Sequence, residues 1–237
     1  MRGALRMLRG RVGRVWRDID RQREHVTGQA RTKLDTLMSL VRRVLDQRPK
    51  DKNKLYALHA PEVECIAKGK ARTPYEFGVK VSIATTHKEG FVVAARSMPG
   101  NPYDGHTLEE TLEQACILTD TSIHTAVVDR GYRGVEVAGV RILRSGQQRG
   151  VTRTLKAMIK RRSAIEPTIG HMKADGKLGR NWLKGQIGDA IHAVLCGAGH
   201  NIRLLLRRLR RFYAQFLAMM LALLGGHQCK STSIAVR

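Results

Sequence analysis

The chain has 237 residues, 42% of them hydrophobic, with 43 Lys or Arg against 20 Asp or Glu, a formal net charge of +23. That length and apolar content fit a packed chain of one domain with appendages or two small domains, and exclude intrinsic disorder. The charge calls for a polyanion, nucleic acid first, and the widely spaced Cys65, Cys116, Cys196 and Cys229 read as free thiols because no C-x-x-C pair or zinc-ligand spacing links them.

The Arg-rich stretch from Met1 to Arg23 ends among Asp18, Asp20 and Glu24 and holds no apolar segment with a small-residue cleavage site. A secretory signal is thereby disfavoured and a cytoplasmic location expected. Within that stretch Leu5, Leu8, Val12, Val15, Trp16 and Ile19 recur at three- and four-residue steps, the mark of a basic amphipathic helix. A second helical pattern, Leu34, Leu37, Met38, Val41, Val44 and Leu45, stops before Pro49. The two predict a helical hairpin across Gly28, either a DNA-contacting arm or part of an ordinary bundle.

Residues Asp51 to Thr73, with Lys52, Lys54, Lys68, Lys70 and Arg72, show no period and read as a basic connecting loop. At Tyr75 the period becomes two, as Phe77, Val79, Val81 and Ile83 alternate with Glu76, Gly78, Lys80 and Ser82, which predicts one strand buried on one side. The turn Thr86–Gly90 and the run Phe91–Ala95 predict its antiparallel partner, ended by Pro99-Gly100-Asn101-Pro102. Thr107 with Glu110 has the form of a capping box, and Leu108, Leu112, Ala115 and Cys116 share the face of the helix behind it.

Ile123 to Val128 reads as a short strand that delivers Asp129 at its C-terminal end, where α/β sheets place their chemistry. Asp129-Arg130-Gly131-Tyr132 is then either a metal-binding carboxylate beside a phosphate-binding arginine or a salt-bridged turn. Val140 to Leu143 predicts another short strand, and a basic loop leads to the stretch Arg162 to Lys173.

That stretch sets one carboxylate among cations. Arg162, Glu166 and Lys173 share one face of an ideal helix, at about 40° and 20° beyond whole turns from Arg162, and Pro167 predicts that the helix is kinked or starts there. The plain alternative is a solvated ion pair worth tenths of a kcal/mol. Ile187 to Leu209 trace a long amphipathic helix in which Gly197 and Gly199 allow close packing or a bend. The apolar run Phe212 to Leu224 is too short to span a bilayer, and from Gly225 a polar tail is expected to be poorly ordered.

Four motifs together resemble the DDE transposases of bacterial insertion sequences, most closely the insertion-sequence-five family. They are Tyr75-Glu76-Phe77-Gly78-Val79-Lys80, Pro99-Gly100-Asn101-Pro102-Tyr103-Asp104, Val128-Asp129-Arg130-Gly131-Tyr132, and Arg162 to Lys173. The resemblance runs from about Asp51 to Arg211, with Met1 to Pro49 fitting the family's basic helical insert. The family signature Tyr-x2-Arg-x3-Glu-x6-Lys falls on Arg162, Glu166 and Lys173, with Ile159 at the Tyr position.

The resemblance implies an α/β, ribonuclease-H-like catalytic domain over 51–211, behind a basic helical hairpin over 1–50 and ahead of an apolar extension and polar tail over 212–237. It implies Asp129 and Glu166 as the second and third catalytic acids, holding two Mg²⁺ (or Mn²⁺) ions. Arg130, Arg162 and Lys173 would bind phosphate, and Asp104 and Tyr132 are further motif residues. DNA, as transposon ends and target, would be the partner of a homo-oligomer in a synaptic complex, near the nucleoid.

The first acid of such a site belongs on a strand ahead of the Tyr75 hairpin, and no Asp of the chain lies in one. Asp18, Asp20, Asp35 and Asp46 fall in helical patterns, Asp51 in a charged loop, and Asp104 in the loop after the hairpin. The expectation is a chain that starts downstream of the first catalytic strand, unstable and unable to perform strand transfer, yet still binding DNA. The alternative is a catalytically inactive DNA-binding remnant.

Overall fold

The computed structural model describes residues 2–69, 71 and 73–225. Lys70, Arg72, Cys229 and the tail expected after Gly225 lie outside the described residues. The chain is a mixed helix-and-sheet protein, and no helix among the described residues is long and apolar enough to cross a membrane.

Helix α1 (Arg2–Gln22) and helix α2 (Gly28–Asp46) form the expected hairpin, with a 3-10 turn over Arg23–His25 and Gly28 at a positive φ of 63° between them. Their seam is narrow. Trp16 Nε1 donates to the Met38 carbonyl at 3.0 Å and Met38 is buried, while Arg42 stacks over the Trp16 ring at 5.5 Å. The rest of the α1 stripe, Leu5, Leu8, Val12, Val15 and Ile19, remains exposed.

The single strand expected from Tyr75 to Ile83 is two strands, because Gly78 takes a φ of 150°, open to glycine and costly for residues bearing a Cβ. Strand β2 (Tyr75–Gly78) pairs antiparallel with β1 (Glu64–Ala67), which lies inside the segment read as a loop. A four-residue strand among lysines carries too short a period to stand out. Strand β3 (Lys80–Thr85) and strand β4 (Val92–Met98) form the expected hairpin, closed by bonds between Thr86 and Phe91 (2.8 Å) and Gly90 and Thr86 (3.1 Å).

Helix α3 (Leu108–Thr119) follows a 3-10 turn over Asp104–Thr107. The capping box does not form. Thr107 is already helical in φ and ψ, its hydroxyl donates back to the Asp104 carbonyl at 2.8 Å, and Glu110 turns to Arg96 at 3.0 Å. The two short strands expected from apolar runs are strand β5 (Thr125–Val128) and strand β6 (Arg141–Arg144), and they pair with each other in parallel. Helix α4 (Arg153–Arg161), a 3-10 turn over Arg162–Ala164 and helix α5 (Ile165–Ala174) come next. Pro167 sits in the first turn of α5, where its missing N–H costs no hydrogen bond.

Helix α6 (Gly185–Gly225) is longer than its sequence pattern suggested. Gly197 lets it lie close on β4, since a Cβ there would stand 3.0 Å from Val92 Cγ1. Asn201 locks the contact by accepting from Val92 N–H and donating to its carbonyl, both at 2.8 Å.

Two separate apolar clusters result. Val92, Ala95, Met172, Ala193 and Cys196 join β4, α5 and α6, while Leu108, Leu112 and Val128 join α3 and β5. Among the described residues the three sheets each have two strands and do not join, so β3 and β5 each have one strand partner there.

Candidate active site

Asp129 stands at the C-terminal tip of β5, as the sequence reading expected. Ser145 N–H donates to the Val128 carbonyl at 2.9 Å, which continues the β5–β6 pairing to the tip. The chain then turns: Arg130 N–H donates to Asp129 Oδ1 at 2.7 Å, and Tyr132 N–H to the Asp129 carbonyl at 3.2 Å.

Glu166 comes from the first turn of α5, more than thirty residues later in the chain. Arg162 brings the two acids together. Its guanidinium lies 3.2 Å from Asp129 Oδ2 through one terminal nitrogen and 3.3 Å from Glu166 Oε1 through the other. The arginine is 19% exposed, whereas the carboxylates are 53% and 69% exposed, so a half-buried cation holds two acids that still face solvent. Such a pair is open to a ligand, and its ion pairs contribute little to stability.

Arg162 is itself placed by its neighbour. Arg161 donates to the carbonyls of His87 at 2.8 Å and Lys88 at 2.6 Å, pinning the end of α4 to the β3–β4 turn, while His87 Nε2 meets the Met158 carbonyl at 3.1 Å. No sequence spacing could reveal this contact, because its partners are more than seventy residues apart.

The remaining site candidates scatter around this centre. The Arg130 guanidinium lies over Gly146, where a Cβ would meet it at 2.9 Å. Asp104 lies beside the same loop, within 3.1 Å of where a Gly131 Cβ would be, and is held by Lys80 Nζ at 2.9 Å. Tyr103 donates its hydroxyl to the Gly131 carbonyl. Tyr132 packs on the second apolar cluster.

Lys173 does not reach the two acids. It faces Glu76 Oε2 at 3.6 Å, alongside Lys68 at 3.2 Å. Partial burial pushes the Glu76 carboxyl upward, but the hydrogen bond from Lys68 and the charges of Lys173 and Lys68 outweigh it and leave the group below its ordinary range.

Asp129, Tyr132 and Arg162 border a cleft of about 860 Å³ between β3 and β5, floored by α3 and flanked by α5 and α6. His200 of α6 lines it as well, 7% exposed and with Nε2 lacking a hydrogen-bond partner. Burial, with the charges of Arg203, His171 and Arg207, holds the His200 imidazole below its usual range against a raising bond from Gly90.

Among the described residues no group of three or more His, Cys, Asp or Glu side chains gathers as a metal cage. Mg²⁺ does not require one, since it binds through one or two carboxylates and keeps waters or takes substrate phosphates. Asp129 and Glu166 supply two carboxylates of the kind such an ion takes, and two ions would need further acid ligands.

A family model described as Transposase DDE domain matches residues 35–202, a span that includes Asp129, Arg162, Glu166 and Lys173. No curated protein and no solved structure matches the chain.

Proposed function

The chain belongs to the transposase DDE domain family, and from that membership we propose that it is the catalytic region of an insertion-sequence transposase of the insertion-sequence-five kind. The observation that carries this reading is the Arg162 bridge between Asp129 and Glu166, which joins a strand-tip acid and a helix acid in the order the family motifs require. A ribonuclease-H-like arrangement over 51–211 is supported by the β3–β4 hairpin, α3 and the parallel β5–β6 pair in succession. The hairpin 1–50 would be a DNA-contacting insert and 212–237 an extension.

Asp129 and Glu166 would hold a divalent cation, Mg²⁺ or Mn²⁺, which supplies Lewis-acid activation at a DNA phosphodiester. Arg162 meets both acids in the free protein and would turn to a substrate phosphate, a switch that guanidinium geometry allows because it pairs with carboxylate and phosphate alike. Arg130 stands one residue from Asp129 and would add a second phosphate contact. Lys173, tied to Glu76, would bind DNA outside this centre. The partners would be element ends and target DNA in a homo-oligomeric complex at the nucleoid.

A third acid is missing from the pair. Asp104 lies beside the Asp129 loop, but Lys80 holds it and it does not border the cleft. The reading is therefore of a site that lacks its first Asp, in a chain that binds DNA and does not perform strand transfer.

Two measurements test this. Mn²⁺ titration followed by electron paramagnetic resonance should detect one site, lost in Asp129→Asn with Glu166→Gln; an unchanged signal refutes the metal assignment. Duplex binding should weaken steeply, by orders of magnitude between 50 and 200 mM salt if about six or more phosphates are contacted, with no Mg²⁺-dependent joining of element ends to target.

A further inference from the structure

Helix α6 runs on past the body of the molecule. Arg208 makes its last bonds there among the described residues, donating to the Glu89 carbonyl at 3.4 Å and stacking over the Phe91 ring at 4.7 Å. Every residue from Leu205 to Leu223 is exposed, so the segment 209–225, about 25 Å long, is an arm. A helix of that length is marginal in water by itself and is stabilised mainly by packing an apolar face. At 41 residues α6 also exceeds the usual globular length, which points to a coiled coil where, as here, the helix is not apolar enough to cross a membrane.

One face of the arm has the spacing that a coiled coil requires. Leu206, Leu209, Tyr213, Phe216, Met220 and Leu223 follow one another by alternating steps of three and four, are 38% to 67% exposed, and form a seam of 3.5-residue period. The opposite face carries Ala214, Gln215, Ala218 and Ala222. Because the steps read the same from either end, a second copy lying head to tail sets an apolar residue against every member of the seam. Charge selects that direction. Arg203, Arg207, Arg208, Arg210 and Arg211 crowd the N-terminal side, and 212–225 carries no charged residue. Parallel arms would set the two arginine clusters side by side, whereas antiparallel arms set each cluster against the partner's uncharged end. Tyr213 and Phe216 of two copies bring about 600–1,000 Å² of ring surface to the centre, close to the threshold of a specific interface before any aliphatic residue is counted.

We propose that α6 from Leu206 to Leu223 is a dimerisation arm, which forms a two-stranded antiparallel coiled coil with the same arm of a second copy of this chain. Across the two-fold axis Tyr213 meets the partner's Phe216, Leu209 the partner's Met220 and Leu206 the partner's Leu223, an isologous contact that closes after two subunits. This deepens the proposed homo-oligomer by naming its surface, and rests on that reading for the dimer's purpose; the pairing itself depends on α6 alone.

The test uses the full chain without DNA or metal, so that its failure is separate from failure of the transposase reading. Sedimentation equilibrium should show monomer and dimer in exchange. Phe216→Glu, at a position exposed in the single copy, should weaken dimerisation at least about a hundredfold, because it buries an unpaired charge at the seam. Val15→Glu, in the exposed stripe of α1, should leave it unchanged. A short bismaleimide should cross-link a mixture of Leu206→Cys and Leu223→Cys chains, both carrying Cys229→Ser, several-fold more than either chain alone. A protein that stays monomeric at micromolar concentration, a dimer that survives Phe216→Glu, or one lost in Val15→Glu would each overturn the proposal. Preferential cross-linking of Leu206→Cys chains to one another overturns the antiparallel direction.

Discussion

The two strand pairs that flank the cleft are made in opposite ways. The β3–β4 hairpin is local in sequence, closed by the six residues Thr86 to Phe91, and clamped by α6 through the Asn201 bonds and by α3 through Thr111 to Ser82 at 2.8 Å and Gln114 to the Ala95 N–H at 3.1 Å. The β5–β6 pair is parallel, four residues long on each side, and covered by a cluster with three buried members. Parallel pairing is the weaker per residue and is stable mainly when buried. The half that carries Asp129 is thus the half with the weaker strand pairing of its own.

Removing one buried side chain on each side is the strongest way to break this comparison. Met172 is fully buried in the first cluster and Leu143 is 1% exposed in β6. Each change to Ala should cost about 2–5 kcal/mol, measured by urea unfolding. If the halves are packed separately, the double variant should be additive within about 0.5 kcal/mol; a larger coupling would mean that the cleft is closed in solution. Asn201→Ala comes next. It strips the buried Val92 backbone of both partners and should cost about 1–3 kcal/mol, with exchange speeding up in β4 and not in β5.

What the sequence made legible follows the same division. Periodicity exposed the hairpin and the helices, and apolar runs exposed β5 and β6, although the α1 stripe found in this way stays mostly exposed. Periodicity missed β1, whose four residues are stabilised by pairing with β2, and it fused β2 with β3, because alternation is blind to the φ of Gly78. Asp129 and Glu166 were singled out through motif order. The bridge through Arg162 to Asp129 was not, since helix geometry spoke only for the pairing with Glu166. The same geometry grouped Lys173 with Arg162, whereas its nearest carboxylate is on β2. Arg161, which positions the bridge, has carbonyl partners that no residue-type pattern encodes.

A smaller effect comes from His200, at the boundary of the two halves. Its folded state favours the neutral imidazole, so the unfolded chain takes up protons first. Stability should be full above the unfolded value, about 6.5, and fall as pH drops below it toward the lowered folded value. His200→Gln should flatten that part of the Tm profile; a wild-type profile already flat between pH 7 and 5 would contradict the burial of a neutral imidazole there.

The least costly change in stability is at Glu76, and it separates the two roles open to Lys173. The carboxylate is 43% exposed and its ion pairs are solvated, so Glu76→Gln should alter stability by no more than about 1 kcal/mol. What remains of that contribution is present above about pH 4.3 and is lost as pH falls through the lowered folded value. The same substitution releases Lys173 and Lys68 from their shared acid and removes a negative charge. If Lys173 contacts phosphate outside the Asp129–Glu166 centre, duplex binding should tighten and its salt slope grow by about one, with Mn²⁺ binding at the two acids unmoved. Should Mn²⁺ affinity change instead, Lys173 is electrostatically part of the acid site after all, and the separation drawn between β2 and the β5 tip fails.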